Sequence, residues 1–240
     1  MKDAALRLVG AAVLVGVAIA AGAWLRSARG LAGRSSSYAI RVPAGQSSAP
    51  SPSDDVPGAI APLTAGMMPS SNIPERLPAF ALGNREGKLT SIGEYAGKSL
   101  VLNFWATWCG PCRREIPLLQ SLHAEWSGSQ VEVIGIAVDY REKVREFADN
   151  LKIAYPLLIG EQDALDVAAS FGVTSPVFPF TVFTDRRGEV VALFVGEMHR
   201  PQAEVILSTV RKLDQRRTSL VDARRAIADG LNALQPAHPP

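Results

Sequence analysis

Cys109 and Cys112 are the only two cysteines among 240 residues, and they stand three positions apart. They lie within Asn103-Phe-Trp-Ala-Thr-Trp-Cys-Gly-Pro-Cys-Arg-Arg-Glu-Ile-Pro117. Two thiols at this spacing suit reversible dithiol–disulfide exchange, with half of a zinc site as the main alternative. A zinc site needs further ligands, and the chain offers only three histidines, His123, His199 and His238, none within a ligand motif. The flanking residues favour exchange. An apolar run (Leu100, Val101, Leu102, Phe104, Trp105) predicts a buried strand leading in, and Gly110 to Trp126 predicts a helix leading out. The thiolate is the attacking species, and the unsatisfied N–H groups and dipole of a helix N-terminus stabilise it. Cys109 at that terminus is therefore expected to be the exposed nucleophile. Cys112, one turn in, is expected to resolve the mixed disulfide.

These thiols need a scaffold, and the apolar pattern supplies one from Ile73 onward. Leu77, Phe80 and Leu82 predict a short extended segment. Strands are predicted at Leu100–Ala106, Val131–Val138, Phe180–Thr184 and Glu189–Val195, with a turn at Arg186-Arg187-Gly188 joining the last two and a short extended piece at Tyr155–Ile159. Helices are predicted at Gly110–Trp126, Glu142–Leu151, Asp163–Phe171 and Pro201–Leu213. Pro117 should kink the first helix without ending it, and Pro201 suits the opening turn of the last. This order implies an α/β domain: a mixed sheet with helices on both faces. A further amphipathic helix, Ser219 to Leu234, follows; covering the sheet and mediating association are both open to it.

Residues 1–50 carry six basic side chains and one acid, Asp3, which leaves 19 basic and 22 acidic residues beyond position 50. The basic balance is thus N-terminal, and no nucleic-acid footprint is present. Leu8 to Leu25 is an uncharged run preceded by Lys2 and Arg7. As a helix it would be about 27 Å long, close to the roughly 30 Å of a bilayer's hydrocarbon core. Export follows, in either of two forms. The length of the run favours an uncleaved single-pass anchor, whereas Ala21-Gly22-Ala23 fits a cleaved signal that would leave the protein soluble. Residues 1–26 are read as this segment. Residues 27–72, rich in Ser, Pro, Ala and Gly, are read as a flexible tether, residues 73–213 as the globular domain, and residues 214–240 as a terminal helix and tail.

The run Trp108-Cys109-Gly110-Pro111-Cys112 after a buried strand resembles the thioredoxin superfamily. The longer string Asn103 to Pro117 is similar to the TlpA/ResA branch of exported, membrane-tethered thiol–disulfide oxidoreductases. The similarity continues through Tyr155-Pro-Leu-Leu-Ile-Gly160, Phe171-Gly-Val173 and Phe178-Pro-Phe-Thr-Val-Phe-Thr-Asp-Arg-Arg-Gly188, covering roughly residues 73–213. It implies a thioredoxin-like fold. It also implies a cis bond before Pro179, which would face the cysteine pair and expose the backbone of Phe178 to an extended substrate segment. Where ordinary thioredoxins carry an aspartate before the motif, this chain has Asn103. Glu115, one turn beyond Cys112 on the same helix face, matches a glutamate of the TlpA/ResA branch and is the candidate acceptor for the Cys112 proton; the plain alternative is a solvated carboxylate. Trp108 is the candidate rim for substrate docking, with core packing as its alternative. Trp105 reads as core, Arg113 and Arg114 as a solvated face. The stretch Thr174-Ser175-Pro176-Val177 is about two residues longer than in compact relatives.

The dipeptide Gly110-Pro111 matches the thioredoxin type, whose potential is near −270 mV, and lacks the histidine of the oxidising DsbA type near −120 mV. The expectation is a periplasmic, inner-membrane-anchored reductant of disulfides in exported proteins, working through the cysteine pair without another cofactor. The resemblance suggests apocytochrome c or copper-site assembly thiols as substrates and a membrane electron carrier of the DsbD/CcdA kind as donor. Three rivals come from other classes: a disulfide oxidase or isomerase; a peroxiredoxin-like peroxidase, although Cys109 lacks the Pro-x-x-x-Thr-x-x-Cys context; and a non-catalytic metallochaperone or adhesion module.

Overall fold

The computed structural model describes residues 66–67, 73–126, 129–173 and 177–235. The apolar run Leu8–Leu25 and the loop residues 174–176 lie outside them. Among the described residues no helix is long and apolar enough to cross a membrane.

The described residues form eight strands, five α-helices and a 3-10 helix at Ile92–Tyr95. The strands are β1 (Gly66–Met67), β2 (Ala81–Asn84), β3 (Leu89–Ser91), β4 (Ser99–Trp105), β5 (Val131–Val138), β6 (Leu157–Gly160), β7 (Phe180–Thr184) and β8 (Val190–Val195). The helices are α1 (Gly110–Trp126), α2 (Arg141–Asn150), α3 (Gln162–Ser170), α4 (Arg200–Asp214) and α5 (Leu220–Ala233). The strands form one sheet in the order β1-β8-β7-β4-β5-β6-β2-β3. Pairs β4/β5 and β5/β6 are parallel, and the remaining pairs are antiparallel. The expected mixed sheet is present, and the helix boundaries lie within one residue of those read from the sequence.

Strand β4 explains why the cysteines sit where they do. All seven of its residues are buried, as a central strand covered on both faces requires. Alternation sends Val101 and Trp105 into one core cluster and Leu100, Leu102 and Phe104 into the other. The first cluster also takes Ile116, Leu119 and Leu122 of α1, together with residues of α2, α4 and α5. The second lies under α3. Phe104 stacks on Phe180 (ring centroids 4.3 Å apart) and meets Phe171 edge-on at 5.8 Å. Helix α1 runs unbroken through Pro117.

The edges of the sheet differ from the sequence reading. Strand β1 lies within the stretch read as tether: Gly66 pairs with Val195 and Met67 with Phe194. Two residues held by backbone bonds leave no hydrophobic period to read. Of the extended segment expected from Leu77, Phe80 and Leu82, Leu82 lies in β2, which turns back as the hairpin β2–β3. Asn84 Oδ1 accepts from the amides of Glu86 and Lys88 at its turn, where Gly87 takes the positive φ that favours glycine.

Helix α5 packs against β8 and α4, the covering role among the two read for it. Ala223, Ile227 and Leu231 are buried at four-residue spacing, and Arg224 donates to the Val190 carbonyl at 2.6 Å. At Gly230 a Cβ would stand 2.7 Å from Val205 Cγ1, so glycine permits the close approach to α4. Ser219 caps the helix, its hydroxyl accepting from the Asp222 amide at 3.1 Å. Helix α5 is thus packed on the domain. Removing the buried Ile227 side chain as Ile227→Ala should cost about 2–5 kcal/mol, against about 0.5 kcal/mol or less for the exposed Val221→Ala. Denaturant unfolding of both variants checks this, and equal costs would mean that α5 is not part of the cooperative unit.

Candidate active site

The first turn of α1 follows β4 after a four-residue loop, residues 106–109. The Cys109 carbonyl accepts from the Arg113 amide at 3.2 Å, which makes Cys109 the N-cap residue. Its sulfur faces the orphan amides of the turn, and the Cys112 amide points at it from 3.3 Å. The two cysteines form a disulfide. Both are nearly covered: Cys109 is 5% exposed and Cys112 1%. The exposed nucleophile expected from the sequence is therefore corrected. In the disulfide form Cys109 is the more accessible of two buried cysteines, because the pair packs into the core cluster that α1 builds on the sheet.

The loop before the cysteines is tied to β5. Asp139, buried at the end of β5, accepts from the hydroxyl of Thr107 and, at 3.3 Å, from its amide. The other Asp139 oxygen accepts from the Tyr140 amide at 2.8 Å. The sequence reading missed this anchor. Its signal was an acid directly after the uncharged run Val133–Val138.

The peptide bond between Phe178 and Pro179 is cis. Trp108 is 68% exposed, which sets aside the core-packing alternative. Its ring meets Phe178 edge-on at 6.2 Å, and Phe178 stacks on Phe180 at 6.3 Å. With the Phe180–Phe104 stack, this makes a line of aromatic rings from the sheet interior to the surface beside Cys109. Gly110 opens α1, and Pro111 follows in its first turn, where a missing N–H costs no hydrogen bond. Trp105 is core, packed on Phe147. Arg113 lies over the Phe147 ring, and Arg114 is paired with Glu197, so the expected solvated face has specific partners.

Glu115 is 1% exposed; the solvated-carboxylate alternative does not hold. Its Oε1 accepts from Asn103 Nδ2 at 3.4 Å, and the same amide donates to Thr181 Oγ at 3.0 Å. Loss of water pushes the Glu115 carboxyl up to about 8. The Met198 backbone amide, Asn103 and Thr181 favour the charged form, while the negative charge of Glu197 opposes it. Oε2 has no hydrogen-bond partner, and neither do two other buried groups, Tyr155 Oη and Trp105 Nε1. Both of these border Gly135: a Cβ there would stand 3.0 Å from Trp105 Nε1 and from Tyr155 Cε2. Burial, and then the nearby Glu115, push the Tyr155 hydroxyl up, so it stays neutral. Among the described residues no group of three or more His, Cys, Asp or Glu side chains could hold a metal ion.

A sheet of this topology with a cysteine pair capping the helix after its central strand defines a thioredoxin-superfamily protein. The chain matches the AhpC/TSA family over residues 73–229 and belongs to it; within the superfamily it is a TlpA/ResA-like thiol–disulfide oxidoreductase. It is 34% identical over 134 residues to the thioredoxin-like protein YneN of Bacillus subtilis, covering 54% of this chain and 75% of the relative. It is 32% identical over 135 residues to the thiol-disulfide oxidoreductase ResA of Geobacillus thermodenitrificans, covering 56% and 75%. A crystal structure from Chlorobium tepidum, described as a DsbE-type thiol:disulfide interchange protein, shares the fold. Its TM-score is 0.51 at 23% identity, over 59% of this chain and 96% of that one.

The buried acid leaves a mark on stability. The folded oxidised protein holds the Glu115 proton up to about pH 8, whereas the unfolded chain releases it near the ordinary 4.5. The folded state binds more protons across that window, so its stability falls as pH rises from about 4.5 to about 8. Glu115→Gln keeps the Asn103 contact without a charge to ionise. It should flatten this slope and stabilise the oxidised protein at pH 8 by an amount of order a few kcal/mol. Urea unfolding at pH 5 and pH 8 without reductant measures it. An unchanged slope in the variant would rule out Glu115 as its source.

Proposed function

We propose that this protein is an exported reductant of protein disulfides, tethered to the bacterial inner membrane by the run Leu8–Leu25 with its domain in the periplasm. The observation that carries the reading is the Cys109–Cys112 pair at the start of α1 with a buried carboxyl, Glu115, one turn behind Cys112.

In the dithiol form the Cys109 thiolate attacks one sulfur of a substrate disulfide. The substrate S–S bond breaks, one substrate thiolate leaves, and a mixed disulfide forms. Cys112 gives up its proton to Glu115 and attacks the Cys109 sulfur, and the second substrate thiol leaves. The substrate gains two electrons, its two departing thiolates take two protons from solvent, and the pair ends as the disulfide with the Cys112 proton on Glu115. With its pKa at about 8, Glu115 holds a proton at neutral pH in this form, as it must after taking one from Cys112. Trp108 and the backbone at Phe178 receive the substrate segment, with Gly110 and Pro111 beneath it and Pro179 facing the sulfurs. Two electrons from a membrane carrier of the DsbD/CcdA kind restore the dithiol. Apocytochrome c cysteines and the thiols of a copper-site assembly factor are the substrate classes proposed.

Equilibration of the purified protein with glutathione or dithiothreitol tests the direction. A potential near or below about −250 mV supports a reductant, and one above about −180 mV makes it an oxidase or isomerase. Cys109→Ser should abolish disulfide reduction, whereas Cys112→Ser should accumulate mixed disulfides with exported proteins. Failure of the second variant to retain any partner would contradict the assigned order of attack.

A further inference from the structure

The connection between β8 and α4 touches the site from three directions. The Gly196 amide donates to the Pro179 carbonyl at 2.8 Å. The Glu197 carboxylate receives the Arg114 guanidinium in a fork: Nε to Oε2 at 2.9 Å and to Oε1 at 3.2 Å, and Nη2 to Oε2 at 2.5 Å. Met198 is buried, and its backbone amide acts on the Glu115 carboxyl. Arg114 and Glu115 are consecutive on α1, so their side chains leave the helix about 100° apart. One reaches outward to Glu197 and the other inward beneath the sheet, and both meet the same three-residue segment.

The charges around Glu115 are few. On its own helix the Cys109 and Cys112 thiols are locked in the disulfide. Asn103 of β4 and Thr181 of β7 are neutral, and Tyr155, from the segment before β6, keeps its proton. Glu197 is a charged side chain whose field acts on the carboxyl and opposes its ionisation. Its charge disfavours a second negative charge next to it, and Arg114 cancels part of that charge.

We propose that the Arg114–Glu197 ion pair is a positioning and tuning element of the active site: it holds the Gly196–Met198 segment between Pro179 and Glu115, and the charge it leaves on Glu197 sets the pH at which Glu115 exchanges its proton. The link to catalysis rests on the proposed role of Glu115 as proton partner of Cys112. The two ends of the pair act with opposite sign. Removing Arg114 leaves Glu197 uncompensated and makes Glu115 harder to ionise. Removing the Glu197 charge makes it easier. A purely structural clamp would respond alike to loss of either partner.

The test is the titration of the Glu115 carboxyl in the full-length oxidised protein, followed by NMR with carbon-13-labelled glutamate and assigned by loss of the signal in Glu115→Gln. Arg114→Gln should raise the midpoint and Glu197→Gln lower it, each by roughly half a pH unit. The double variant should follow Glu197→Gln, and Arg114→Lys, which keeps the charge, should stay near the parent. Shifts of the same sign, or none, overturn the proposal. The pH profile of disulfide reduction is then recorded for the same proteins. If its limb moves with the carboxyl, both ideas stand. If the carboxyl moves and the profile does not, the tuning stands and the proton-transfer role of Glu115 falls.

Discussion

Ionising a carboxyl group that water cannot reach is costly, and the interior of this protein is arranged around one such group. Glu115 sits beneath the disulfide with dipoles for company: the amide of Asn103, the hydroxyl of Thr181 and the backbone of Met198. These ease the charged form without matching hydration, so the acid stays protonated well above its ordinary range. A neutral neighbour is what makes this workable. An acid at position 103 would place a second buried charge in the same pocket, and two like charges there could not both ionise.

Holding a carboxyl in such a place demands a rigid frame. β4 is buried on both faces, and its register with β5 (Trp105 opposite Ala137) brings Asp139 to the loop before the cysteines. Its register with β7 sets Thr181 opposite Asn103. The aromatic stack Phe104–Phe180 locks the same two strands from the other face. Sulfur and acid are therefore placed by three neighbouring strands and one helix, and the rim residues Trp108 and Phe178 sit on the short loops that these elements anchor.

The parts of this arrangement legible in the sequence are those written in consecutive residues. The cysteine spacing, the apolar run into it and the helix out of it were readable because each is local. The same holds for α2 to α5, whose apolar periods fixed them to within a residue. Glu115 was readable as a candidate by helical spacing, but not its burial, which depends on what α1 packs against. Thr181 and Asp139 were missed because their roles arise from strand neighbours far apart in the chain. Arg114 looked like solvated charge because its partner, Glu197, lies 83 positions away. The edge strands β1 and β3, two and three residues long, carry too few side chains for any period to show.

One consequence of Asn103 beside Glu115 concerns electrochemistry. With an amide in place of a second acid, the pocket has a single carboxyl that can carry a mobile proton. Each proton taken from solvent along with the two electrons lowers the potential by about 30 mV per pH unit. If Glu115 returns its own proton to Cys112 as the disulfide opens, only one comes from outside. If it keeps its proton, two do. The steepness of potential against pH thus distinguishes a proton recycled within the protein from one drawn from the surrounding water.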